Sequence, residues 1–212
     1  MIKCVKENKK MNAFKNMNLP NKLTVLRVVM VPLFMVSLMC TKHVEDGAGK
    51  IALLIISAVL FAGAAITDFI DGKIARRDNL VTNFGKFMDP LADKFMVIGA
   101  LFSAIYVYDN LRLALVITTA ITVFRELAVS GVRLLAVNAD NVVIAAAMPG
   151  KIKTFSQCIF IELVILEPLL LGGIDFFAVF SPLTYLCMAV MVFFTIYSGV
   201  QYLVAYGKYI TM

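Results

Sequence analysis

The chain has 212 residues, of which 61% are hydrophobic and none is Trp, and its mean hydropathy is +0.88; soluble domains carry roughly 45–50% apolar residues, so most of this chain belongs in lipid as one membrane domain. The four cysteines, Cys4, Cys40, Cys158 and Cys187, have neither zinc-site nor disulfide-framework spacing, and the single histidine, His43, sits in a short polar loop without an acidic or thiol partner, which excludes histidine triads and Cys/His metal chemistry. The net charge of +6 is concentrated before and at the start of the first apolar stretch, in Lys3, Lys6, Lys9, Lys10, Lys15, Lys22 and Arg27; with no groove-reading element beside it, this charge suits anionic lipid headgroups and not nucleic acid.

Residues 1–16 read as a basic cytoplasmic tail or interfacial helix, and residues 17–212 as a six-helix membrane domain. A membrane helix needs about 20 apolar residues. Six segments approach that length: 21–40, 50–70, 88–107, 112–137, 152–171 and 182–206. Pro20 suits the first turn of the first helix, and Ser181-Pro182 is a start signal for the sixth. The first apolar run is as long as a membrane span and is followed by no small-residue cleavage pattern, so it reads as a helix and not as a cleaved signal. The fold class expected is an all-α integral membrane protein.

The connections set the expected orientation. Lys73, Arg76, Arg77 and Lys86 lie between the second and third spans, and Lys151 and Lys153 follow the Pro149-Gly150 breaker between the fourth and fifth. The loop after the first span mixes Lys42 and Lys50 with Glu45 and Asp46. The loops after the third and fifth spans hold Asp109 with Arg112, and Asp175. The positive-inside rule therefore puts both termini and the second and fourth loops in the cytoplasm.

The second loop region carries the chemistry. Asp68 and Asp71 are three residues apart and Asp89 and Asp93 four apart, so each pair shares one helix face, and two helix ends joined by a short loop can bring the faces together. Four carboxylates converging at a membrane edge repel one another unless something positive sits between them. All-oxygen ligation suits hard cations such as Mg²⁺ or Mn²⁺, and four shared carboxylates suffice for two of them, the arrangement that clamps attacking and leaving oxygens in phosphoryl transfer. Gly72, Ala75 and Gly85 leave room for a bulky anion, and Arg76 can grip phosphate bidentately.

The run Asp68-x2-Asp71-Gly72-x2-Ala75-Arg76-x8-Gly85-x3-Asp89-x3-Asp93 resembles the signature of the CDP-alcohol phosphotransferase family, with all eight fixed positions present. The resemblance implies six transmembrane helices, a homodimer, and displacement of CMP from a CDP-linked substrate by an alcohol. It implies that Asp68, Asp71 and Asp89 hold metal, that Asp93 both holds the second ion and deprotonates the incoming hydroxyl, and that Gly72, Arg76 and Thr82 contact the CDP group.

Outside that core, the stretch Asn18–Arg27, which contains Asn21 and Thr24, Arg125-Glu126 with Ser130–Arg133, and Gly150–Thr154 with Gln157 resemble the phosphatidylglycerophosphate synthase branch of the family. That likeness implies CDP-diacylglycerol as donor, with Asn21 and Thr24 added to its site. It implies glycerol 3-phosphate as acceptor and a bacterial cytoplasmic membrane with the active site facing the cytoplasm. Arg125, Arg133, Lys151 and Lys153 are the cations available for the acceptor's phosphate. Arg125 with Glu126 could equally be a structural ion pair, and Lys151 and Lys153 could be positive-inside anchors. Two residues apart on a helix, those lysines point some 200° away from each other, so both reach one phosphate only if the helix starts between or after them. Glu167, before Pro168 near the outer end, is expected to reach water, and Glu162 has no assigned role. Cardiolipin synthases and phosphatidylinositol phosphate synthases of the same fold share the aspartates and differ in acceptor. A cation transporter would place its acids near mid-bilayer on several helices, not at one loop.

Overall fold

A computed structural model describes residues 18–77, 83–140, 148–174, 176 and 180–207; within its helices the side chains of 71, 73, 75–77, 83, 84, 86, 136–140, 148 and 149 are not described. The six expected spans are six long helices: α1 (Leu19–Cys40), α2 (Ala48–Arg77), α3 (Asn83–Val107), α4 (Arg112–Asp140), α5 (Met148–Leu171) and α6 (Pro182–Tyr206). All six are long and apolar enough to cross a bilayer. The described residues hold no strand. Pro20 falls in the first turn of α1, and Ser181 is the N-cap residue of α6 in the left-handed region (φ 41°) with Pro182 following.

Several helices run beyond the apolar windows at the end that carries the aspartates. α2 continues through Asp68 and Asp71 to Arg77, and α3 begins at Asn83, because a helix satisfies its own backbone whether its surroundings are lipid or polar. α5 begins at Met148, so Lys151 and Lys153 both lie inside the helix.

The central core is drawn from all six helices at helical spacing. Val31, Phe34 and Leu38 of α1 meet Leu54, Ala58 and Phe61 of α2, Met96, Ala100 and Leu101 of α3, and Phe160, Val164 and Ile165 of α5. Phe34 and Phe61 pack with ring centroids 5.3 Å apart. Small residues let α1 approach closely: a Cβ on Gly63 would stand 2.8 Å from Met30 Cε, and one on Gly99 2.8 Å from Met35 Sδ. Many large side chains point outward instead, including Val36, Leu113, Phe124 and Phe193, as lipid-facing surface requires.

The end opposite the aspartates is tied by polar contacts. Lys42 Nζ donates to the Tyr106 carbonyl at 2.8 Å and pairs with Asp109 at 2.9 Å. In the loop between α1 and α2, Lys50 holds the exposed Asp46 carboxyl below its ordinary value. Glu167 corrects the expectation that it reaches water. Only 2% exposed, it accepts from the backbone N–H groups of Leu183 (3.1 Å) and Thr184 (2.7 Å) and from the Thr184 hydroxyl (2.5 Å). A buried carboxylate is satisfied there because the first turn of α6 offers unpaired donors and the positive end of the helix dipole.

Candidate active site

Asp68 on α2 and Asp89 and Asp93 on α3 face one cavity of about 1470 Å³. Pockets for drug-sized ligands span roughly 300–1,000 Å³, so this space has room for a bulkier ligand. The cavity is also bordered by Gly72, Lys94, Arg125, Glu126, Arg133, Gly150, Lys151, Lys153, Gln157 and Ser198. Four helices beside α3 thus contribute to it: α2, α4, α5 and α6.

The positive group expected between the carboxylates is, in this structure, Arg27 of α1. Its side chain is fully buried, and its Nη1 lies 2.8 Å from Asp68 Oδ1 and 2.7 Å from Asp93 Oδ1. One nitrogen bonded to both acids holds those oxygens within two hydrogen-bond lengths of each other across two helices. One turn earlier on the same face of α1, Thr24 is 1% exposed and donates to Asp89 Oδ1 at 2.7 Å. Asn21, a further turn back, is also buried. The i, i+3, i+6 spacing of Asn21, Thr24 and Arg27 puts them on the stripe that continues into Val31 and Phe34, which explains why polar residues occur inside an otherwise apolar helix. From the sequence Arg27 reads as a headgroup anchor; the signal that places it in the site is this periodicity.

The α4–α5 side holds the cations. Arg125 Nη1 donates to Glu126 Oε1 at 3.0 Å and Nη2 to Ser198 Oγ at 3.0 Å, and Lys153 Nζ donates to the same Glu126 oxygen. Arg125 is therefore both an ion-pair partner and a wall of the cavity. Gly199 permits this: a Cβ there would stand 3.0 Å from Arg125 Cγ. Lys151 and Lys153 diverge as helical geometry requires. Lys151 is exposed and Lys153 is 7% exposed, yet both border the cavity, which is wide enough to take in both. Arg133 is exposed and borders it too. Lys94, next to Asp93, donates to Ser130 Oγ at 2.5 Å and adds a cation the sequence reading missed.

Other expected site residues lie at the limit of the described structure. The backbones of Asp71 and Arg76 belong to α2, but their side chains are outside the described residues, as is Thr82 altogether. Among the described residues no group of three or more His, Cys, Asp or Glu side chains forms a ready metal cage. The donor set is nonetheless chemically suited to a hard divalent ion, being oxygen-only, with carboxylates from two helices drawn toward a single cationic point.

Converging carboxylates beside a cationic wall in a bundle of six membrane helices suit an enzyme that handles phosphate groups. The profile of the CDP-alcohol phosphatidyltransferase family matches residues 17–203, and the chain belongs to that family. Relatives agree on the branch. A Bacillus subtilis (strain 168) protein named CDP-diacylglycerol--glycerol-3-phosphate 3-phosphatidyltransferase is 42% identical over 189 residues, covering 87% of this chain and 93% of that protein. A Mycobacterium tuberculosis protein named probable phosphatidylglycerophosphate synthase is 37% identical, covering 87% and 79%. A Rickettsia felis protein with the same name as the Bacillus one is 34% identical, covering 91% and 97%.

Proposed function

We propose that the protein transfers the phosphatidyl group of CDP-diacylglycerol to glycerol 3-phosphate, giving phosphatidylglycerol phosphate and CMP, as the names of its relatives describe. The observation that supports this most directly is that Asp68, Asp89 and Asp93 and the cations Arg125, Arg133, Lys151 and Lys153 border one cavity. A donor diphosphate at the aspartates and an acceptor phosphate at the cations then lie within one space.

In this reading Asp68, Asp71, Asp89 and Asp93 hold two divalent ions, Mg²⁺ or Mn²⁺, which supply charge neutralisation of the diphosphate and of the leaving CMP. Asp93 takes the proton of the acceptor's primary hydroxyl, which attacks the phosphorus that carries diacylglycerol. Asn21, Thr24, Gly72, Arg76 and Thr82 hold the donor; Thr24 acts by fixing the Asp89 carboxylate. Arg125 and Lys153, steadied by Glu126, hold the acceptor's phosphate, with Arg133 and Lys151 at the exposed rim. A cation transporter fits less well, because the acids gather at one end of the bundle beside the cations Arg125, Arg133, Lys151 and Lys153.

The same proposal includes a homodimer, the bacterial cytoplasmic membrane and a cavity open to the cytoplasm. Support for the orientation is the excess of Lys and Arg in the connections at the aspartate end. The test is CMP release by purified protein from CDP-diacylglycerol with a panel of acceptors. Release with glycerol 3-phosphate is expected; release with inositol phosphate or phosphatidylglycerol alone would overturn the acceptor assignment.

A further inference from the structure

Gln157 is 1% exposed and borders the cavity, and neither its amide oxygen nor its amide nitrogen has a hydrogen-bond partner among the described residues. A primary amide can give two hydrogen bonds and accept two, and buried polar groups are almost always satisfied. An amide left open on a cavity wall is therefore set up for a ligand that both donates and accepts.

Its position narrows the ligand. Gln157 is one turn along α5 from Lys153, whose ammonium is held by Glu126. Lys153, Gln157 and the Asp93 carboxylate all border the same cavity. The amide thus shares one cavity with the cation assigned to the acceptor's phosphate, one helical turn away, and with the carboxylate assigned to its reacting hydroxyl. In glycerol 3-phosphate the group between those two ends is the secondary hydroxyl.

We propose that Gln157 is a specificity-determining residue that reads this non-reacting secondary hydroxyl, its Oε1 accepting from the hydroxyl and its Nε2 donating to the hydroxyl oxygen. The assignment rests on the glycerol 3-phosphate reading given above. It separates acceptors that carry a hydroxyl beside the reacting carbon from those that carry only phosphate and a primary alcohol.

The test compares glycerol 3-phosphate with 3-hydroxypropyl phosphate, which lacks that hydroxyl, in wild type and in Gln157→Met. Sites built to bond a hydroxyl reject the analogue strongly, so wild type should favour glycerol 3-phosphate by at least about 100-fold in kcat/KM. Q157M should lose most of that preference while keeping its KM for CDP-diacylglycerol, and should unfold no earlier than wild type, because the amide gives up no partner among the described residues. A wild type that uses both acceptors equally, a Q157M that keeps the preference, or a Q157M that unfolds well below wild type would each overturn the assignment. Failure of wild type to use either acceptor, with CMP released to another alcohol, would overturn the functional reading and this inference with it.

Discussion

Removing the Arg27 guanidinium tests whether a single α1 cation holds the aspartates together. In Arg27→Met the stem volume is roughly kept while the bonds to Asp68 and Asp93, 2.8 and 2.7 Å, are lost. Hydrogen bonds to charged partners contribute roughly 1.5–3 kcal/mol each. Asp68 and Asp93 are 32% and 44% exposed, so solvent screening reduces each by about half, leaving a loss of about 2 kcal/mol. For a chain of this size that is roughly 4–8 °C in Tm. The assay is thermal unfolding in detergent, with chelator and with saturating Mg²⁺. R27M should unfold several degrees below wild type in chelator and recover part of the gap in Mg²⁺, since a divalent ion supplies the missing positive charge. Identical unfolding temperatures in chelator would refute the role given to Arg27.

Three further changes separate the parts of the site. Asp93→Asn should cut CMP release by about 100-fold or more, the scale of lost general-base catalysis, while the protein stays folded and keeps part of its metal binding; a wild-type rate would remove Asp93 as base. Glu126→Ala leaves Lys153 as a buried ammonium beside Arg125 with their shared carboxylate gone, so KM for glycerol 3-phosphate should rise about 10-fold or more, the effect of about 1.4 kcal/mol, with KM for CDP-diacylglycerol little changed. An equal rise for both substrates in steady-state kinetics would contradict that division. Glu167→Gln weakens the cap on α6 far from the aspartates, and about 1 kcal/mol lost there should lower Tm by a few degrees without changing the rate of CMP release.

The helices were legible because lipid demands long uninterrupted apolar runs and punishes every exposed backbone polar group. Pro20 and Pro182 marked two helix starts for the same reason that proline tolerates a first turn. What hydropathy missed was the polar continuation: α2 runs on to Arg77 and α5 starts at Met148, past the point where apolar windows end. That Asp68, Asp89 and Asp93 share a cavity was legible from spacing on their own helices, but Arg27 was not, because its partners are 41 and 66 residues away and only tertiary packing brings α1 against α2 and α3. Arg27, Thr24 and Asn21 do show helical periodicity with the buried Val31 and Phe34, a signal that basic charge near the N-terminus obscured. Glu167 was misjudged for a similar reason. A carboxylate beside a proline reads as a solvent-facing breaker until the start of α6 supplies donors from 16 and 17 residues further on.

The most direct check of the account is to place purified protein in vesicles free of phosphatidylglycerol, supply CDP-diacylglycerol, Mg²⁺ and glycerol 3-phosphate labelled in its carbons, and follow label and CMP together. The cavity that joins the aspartates to Arg125 and Lys153 predicts one label entering lipid for each CMP released, with both stopped by chelator. CMP release without label in lipid, or label incorporation indifferent to chelator, would contradict it.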